Sequence, residues 1–191
     1  MLEDQNGGIS EPNQAAASLV AAASVGALAA FNSHIAGSAL ADVLLIKGDM
    51  GATELAGGAP FSGVDGDALR AALKALGWGD DNWCGLTLTA LAADGAEPQQ
   101  LSPKELRFVV EHSDPLLIVV LDAKAKQTLE QAFEDTNQDL PKKWLLGKES
   151  RVMRRRLLSV DNFEASLANE CDKRRVWVQL KRGTRQPSPD G

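Results

Sequence analysis

Val43-Leu44-Leu45-Ile46-Lys47-Gly48-Asp49-Met50-Gly51, continued through Pro60 and Phe61 to Gly66, is the stretch on which the fold turns. Four consecutive apolar residues, two of them β-branched, describe a strand buried on both faces. Six glycines then fall between positions 48 and 66, with Pro60 among them. That composition predicts a long loop from Gly48 to Gly66 without regular structure. Long loops inside a compact domain are usually functional, and in open parallel sheets ligands bind beyond the carboxyl ends of strands. The loop is therefore the first place to look for a site.

Downstream, Leu69, Ala72, Leu73 and Leu76 share one helical face, predicting a helix from Asp67 to Leu76 that Gly77 stops. Leu86, Leu88 and Leu91 alternate roughly with Thr87 and Thr89, predicting a strand over Gly85 to Leu91. Ser102, Pro103 and Glu105 form a capping box with proline at the first helical position, opening a helix to His112. Asp114 and Pro115 break it, Leu116 to Leu121 reads as another doubly buried strand, and a helix follows from Ala123 to Phe133. Upstream, an Ala-rich helix is expected from Gln14 to Asn32. Beyond Pro141 the pattern weakens to a last strand within Arg151 to Val160 and a helix capped by Asp172, with Val176, Trp177 and Leu180 facing inward. Alternating strands and helices predict an α/β fold: a three-layer α/β/α sandwich around a central, mostly parallel sheet.

At 191 residues with 44% hydrophobic content, the chain suits one domain, expected over 13–182 between disordered ends at 1–12 and 183–191. No Asp, Glu, Lys or Arg occurs from Pro12 to Ala41, yet the run is mostly Ala, Ser and Gly. It also follows Glu3, Asp4 and Glu11, where a signal peptide would carry positive charge. Neither a signal peptide nor a membrane span is expected. Cys84 and Cys171 stand far apart with no C-x-x-C pair, which fits a reducing cytoplasm and no zinc ribbon. His34 and His112, the only histidines, show no metal-ligand spacing, and no metal site is expected.

The net charge of -6 is unevenly spread. Residues 1–141 hold 7 Lys/Arg against 20 Asp/Glu, whereas residues 142–185 hold 13 against 5. The basic segment includes Arg154, Arg155 and Arg156, then Lys173, Arg174 and Arg175. These could neutralise phosphates of single-stranded or damaged DNA, or be solvated faces that balance the acidic body; sequence leaves both open.

The segment Gly48, Asp49, Met50, Gly51, Ala52, Thr53, Glu54, then Gly58, Pro60, Phe61, Gly63, Gly66 and Leu69, resembles the first motif of the iron-sulfur type (family 4) uracil-DNA glycosylases. Members of that family read roughly G-E-A-P-G, then G-x-P-F-x-G-x-x-G and a leucine-rich helix. The strand at Leu116 to Leu121 and the close from Lys173 to Lys181 are similar as well, so the resemblance spans Asp42 to Lys181. It implies a pocket that takes a flipped base, with Phe61 as the stacking ring and Gly48 and Gly51 lining its wall. It implies Asp49 in place of the family's catalytic Glu, one methylene shorter. From the residues alone, Phe61 also reads as a loop anchor in the core, with the pocket favoured because the glycines around it permit close approach of another group, and Asp49 reads equally as a cap for nearby amides.

Several positions depart from the family. The Asn that reads uracil is matched by Thr87, and the His of the late motif by Asn162. The cysteine ligands of the family's cluster are absent, so no cofactor is expected. Three functions follow as expectations: a glycosylase-like protein that binds a base or DNA with lost or altered excision; a working DNA glycosylase with Asp49 orienting water and Asn162 donating to the base; and a protein-interaction domain with a vestigial pocket.

Overall fold

The computed structural model describes residues 21–91, 97–135 and 146–183. Its helices are α1 (21–28), α2 (Ala52–Leu55), α3 (Val64–Ala75), α4 (Pro103–Ser113), α5 (Ala123–Ala132), α6 (Phe163–Ser166) and α7 (Glu170–Gly183). Its strands are β1 (Ile35–Gly37), β2 (Val43–Lys47), β3 (Trp83–Thr87), β4 (Thr89–Ala90), β5 (Gln99–Gln100), β6 (Leu117–Val120), β7 (Glu149–Val152) and β8 (Arg155–Ser159). Six strands form one sheet in the order β1-β3-β2-β6-β8-β7, while β4 and β5 pair apart from it. Strands β3, β2, β6 and β8 are mutually parallel, and β1 and β7 close the two edges antiparallel. The chain thus adopts the expected α/β fold with a mostly parallel sheet.

Alternation along each strand divides the core into two. Leu44, Ile46, Leu86, Ile118, Val120 and Leu157 pack against Leu106, Val109 and Val110 of α4 and Ala125 and Leu129 of α5. Val43, Leu45, Leu117, Val119 and Leu158 face the other way, against Leu69 and Leu73 of α3 and Val176 and Leu180 of α7. A sheet covered on both faces explains why β2 and β6 read as unbroken apolar runs. No described helix is long and apolar enough to cross a membrane.

Several boundaries differ from the sequence expectation. The Gly48–Gly66 segment is not wholly irregular: it holds the single turn α2, and α3 begins at Val64 rather than Asp67. Gly66 lies in that first turn, where an added Cβ would collide with the Phe61 carbonyl oxygen, and Asp65 and Asp67 there favour the helix dipole. The strand expected to reach Leu91 leaves the main sheet at Thr87. The last strand is a hairpin, turned at Met153 and Arg154 with φ of 45° and 71°. Helix α7 opens at Glu170 with Asn169 accepting from the Cys171 amide at 2.8 Å, so Asp172 is not its cap and instead pairs with Arg175. Gly183 closes α7 and is not part of a tail. The capping box of α4 forms as expected: Ser102 Oγ accepts from Glu105 N at 3.3 Å, and Glu105 accepts from Ser102 N at 2.7 Å. The ends expected to be disordered, 1–12 and 184–191, and the first part of the Ala-rich helix lie outside the described residues.

Candidate functional site

Strand β2 connects through α3 to β3 on one side, whereas β6 leads to β8 on the other. The crevice beyond the carboxyl ends of β2 and β6 is therefore the topological switch point, where such sheets place ligands. In this chain its own side chains occupy that position. Lys47, the last residue of β2, sends its ammonium 2.6 Å from Glu54 Oε2 and 2.7 Å from Asp65 Oδ2, with all three side chains no more than 6% exposed. Burying three charges is tolerable only with mutual pairing and further hydrogen bonds. Glu54 has them, accepting from Gly51 N at 2.6 Å and from Phe61 N at 2.5 Å. One carboxylate thus ties both limbs of the loop to the end of β2.

Phe61 is held beneath that loop. It adopts φ of 57°, a conformation that β-carbon sterics disfavour, and its backbone is fixed at both ends: its amide by Glu54 and its carbonyl by Arg70 Nη1 at 3.0 Å. The ring is 1% exposed, and Lys47 Nζ lies 4.8 Å from its centroid. It packs on Gly85, where an added Cβ would meet Phe61 Cδ2 at 2.5 Å. The expectation of an open stacking ring is corrected accordingly: Phe61 is a core anchor, and it lines neither of the two cavities around the loop. Its membership of the apolar cluster with Val43, Leu45 and Leu69 supplies the reason, since a phenyl ring gains more by joining that cluster than by facing water.

Asp49 and Asn162 do converge. Both line a cavity of about 170 Å³ at the switch point, together with Lys47, Asp65 and Asp122. Each also has an internal partner. Asp49 is exposed and paired with Lys124 at 2.5 Å. Asn162 is the N-cap of α6, its side-chain oxygen accepting from Ala165 N at 3.2 Å. Gly48 lies against the same crevice, its amide donating to Asp122 Oδ2 at 2.6 Å, and an added Cβ there would collide with Lys124.

Thr87 sits on the other side of β2. It lines a second cavity of about 530 Å³, walled by Met50, the 57–60 turn, Thr89, Ala90 and Leu91, with Ser33 opposite. Its backbone is buttressed by His34, whose Nδ1 donates to the Thr87 carbonyl at 2.8 Å while Thr87 N donates to the His34 carbonyl at 2.9 Å. This cavity falls within the roughly 300–1,000 Å³ range of small-molecule sites, whereas the switch-point cavity is below it. Its walls are mainly apolar, with the buried Glu54 and the hydroxyl residues Ser33, Thr87 and Thr89 among them. Gly51 does not line it; Gly51 borders a separate small cavity beside α2 and Glu164.

The basic residues divide between the two ends of the sheet. Arg156 is in register with Leu117, which is in register with Val43, four residues before Lys47. At about 3.3 Å per residue this places the Arg154–Arg156 run some 13 Å back along the strands, at the end remote from both cavities. Arg155 pairs there with Asp114 at 2.6 Å and Arg156 with Glu149 at 2.8 Å. Lys173, Arg174 and Arg175 open α7 at the cavity end, where Arg175 pairs with Asp161 and Asp172 and Lys173 with Glu170. The six cations named from the sequence as candidates for phosphate contact therefore do not share one surface.

Sequence reading missed Lys47, Glu54 and Asp65. A lysine closing a fully apolar strand, with acids 7 and 18 residues later in a glycine-rich segment, was the available signal. Among the described residues no group of three or more His, Cys, Asp or Glu could hold a metal ion. Comparison with family models and with curated proteins finds no match to this chain.

Proposed function

We propose that this chain is a uracil-DNA-glycosylase-like domain that binds a nucleobase, free or within single-stranded or damaged DNA, and does not excise it. The observation that carries the reading is a division of labour around β2. On one side, the groups that the resemblance assigns to excision already make internal contacts: Phe61 in the core, exposed Asp49 in an ion pair with Lys124, and Asn162 through its oxygen, though not its amide NH2, with Ala165. On the other, a cavity of about 530 Å³ stays open beside Thr87. Its apolar walls suit the faces of a flat ring, and its hydroxyl oxygens can accept from ring edges, those of Thr87 and Thr89 already donating to the His34 and Gly48 carbonyls. Lys173, which would have to exchange its exposed pair with Glu170, and Arg174 lie at the same end of the sheet and can reach neighbouring phosphates.

A gel shift with single-stranded oligonucleotides across a salt series tests binding. The expected result is affinity that falls with salt and weakens in Lys173→Glu/Arg174→Glu but not in Arg154→Glu. Absence of binding at low salt, or the reverse pattern between those variants, overturns the nucleic-acid part. Incubation with oligonucleotides carrying uracil, hypoxanthine or xanthine, followed by alkali, tests excision, and no strand cleavage is expected. A second reading, an active glycosylase, draws on the shared cavity of Asp49 and Asn162. Cleavage that disappears in Asp49→Ala would establish it in place of the first.

A further inference from the structure

We propose that the groove between α1 and α4 is a docking face for a second copy of this chain, giving a two-fold dimer in which the two α4 helices run antiparallel across Phe108. The proposal is independent of the base-binding reading.

The outer side of these helices is unusually apolar for an exposed surface. Phe108 on α4 is 36% exposed and Val25 on α1 50%. A groove of about 400 Å³ separates the helices, lined by Ala27, Ala30, Phe31, Lys104, Glu105 and Phe108. Three rings follow one another along it. Phe31 lies 5.8 Å from Phe108 between centroids, and His112 stacks on Phe108 at 3.8 Å. Half-exposed aromatic rings beside a groove are the kind of anchor on which protein interfaces concentrate their energy.

Charge selects the occupant. The chain carries a net charge of -6, so two copies repel over much of their surface. From Pro12 to Ala41, a stretch that includes all of α1, no side chain is charged. On α4, Lys104, Phe108 and Glu111 recur at i, i+4 and i+7 and so form one stripe. The cation stands one turn before the ring and the carboxylate one turn after it. A two-fold axis through Phe108 reverses that order in the second copy, so Lys104 meets the partner's Glu111 and Glu111 meets the partner's Lys104. By the same symmetry Glu105, at the groove, meets the partner's His112. Lys104 pairs with no acid among the described residues, and Glu111 engages Arg107 through Oε1 alone. A patch that complements itself in this way closes at two chains. With α4 about 16 Å long and α1 about 12 Å, the contact is small, and a weak dimer with Kd of ~10–100 µM is expected.

Sedimentation equilibrium of the full chain from about 5 to 500 µM reads this directly. The wild type is expected to move from the mass of one chain toward that of two. Lys104→Glu sets carboxylate against carboxylate at both ends of the contact, and Glu111→Lys sets ammonium against ammonium. Each variant alone is expected to self-associate at least about tenfold more weakly. An equimolar mixture of the two is expected to recover wild-type association, because each supplies the charge that the other lacks. That recovery requires folded chains, so it separates lost docking from lost structure. Lys181→Glu, on α7, should leave association unchanged. A wild type with the mass of one chain throughout, as a face made for a different protein would give, overturns the proposal. So does a Lys104→Glu protein that associates as the wild type does, or a mixture no better than its components.

Discussion

Replacing Glu54 by Gln tests the buried network by the smallest available change, one oxygen for one NH2 group. Glu54 accepts from three donors, Gly51 N, Phe61 N and Lys47 Nζ, at 2.5 to 2.6 Å. Gln has one acceptor oxygen. If that oxygen serves Phe61 N, the new NH2 group faces Gly51 N and the Lys47 ammonium, donor against donors. A buried donor without a partner costs about 1–3 kcal/mol, and breaking a buried ion pair about 3–5 kcal/mol. The two figures overlap because one substitution causes both, and Asp65 still holds Lys47 at 2.7 Å, so the expected loss is about 3–4 kcal/mol. Urea unfolding followed by tryptophan fluorescence should show the midpoint falling by about 1–2 M, given slopes of ~2–3 kcal/mol/M. Asp49→Asn, which removes an exposed ion pair, should lose no more than about 1 kcal/mol. A Glu54→Gln protein within about 1 kcal/mol of the wild type, or an Asp49→Asn protein equally damaged, would refute the reasoning.

Gly85→Ala should destabilise by about 1–3 kcal/mol, roughly 2–12 °C in melting temperature, because its methyl group would meet the Phe61 ring at 2.5 Å; an unchanged melting temperature would show that the ring is not fixed there. Hydrogen bonds from Ser102 hold the Glu105 carboxyl below its ordinary range, and those from Arg156 do the same for Glu149. Their contribution to stability is therefore complete above about pH 4.5 and drains away as pH falls through the lowered folded values. Ser102→Ala should flatten the acid limb of a stability–pH profile, and a parallel downward shift at every pH would contradict the cause given. Burial pushes the Cys84 thiol up to about 12, while Cys171 is exposed. A thiol reagent at pH 8 should therefore label one cysteine per native chain and two after unfolding, and two fast equivalents in the native state would be at odds with the fold.

The sheet was legible because its central strands are buried on both faces: Val43 to Ile46 and Leu117 to Val120 have no polar interruption, and no other element produces that pattern so briefly. The capping box of α4 was legible because both of its bonds are local in sequence. The edge strands were not. Three-residue β1 owes its existence to β3, about fifty residues along the chain, and the local β7–β8 hairpin turns at Met153 and Arg154, which carry none of the usual turn signals. The sequence singled out the Gly48–Gly66 segment and, through the resemblance, both Asp49 and Asn162, which line one cavity because each follows a parallel strand of the same sheet. It erred on Phe61, whose burial depends on Gly85 lying opposite and on Lys47 reaching over it, contacts separated by 24 and 14 positions. It treated Arg154–Arg156 and Lys173–Arg175 as one patch because charge counts ignore strand direction, which puts the start of β8 and the start of α7 at opposite ends.

The central claim, a base-sized site beside Thr87 rather than at the switch point, is most directly tested by an amide nuclear magnetic resonance titration of the full chain with a short single-stranded oligonucleotide containing uracil. Saturable shifts at Met50, Gly58, Thr87, Thr89 and Leu91, with the Phe61 amide unmoved and the oligonucleotide intact afterwards, are expected. Shifts confined to Arg154–Arg156, no shifts at all, or an abasic strand recovered from the tube would contradict it.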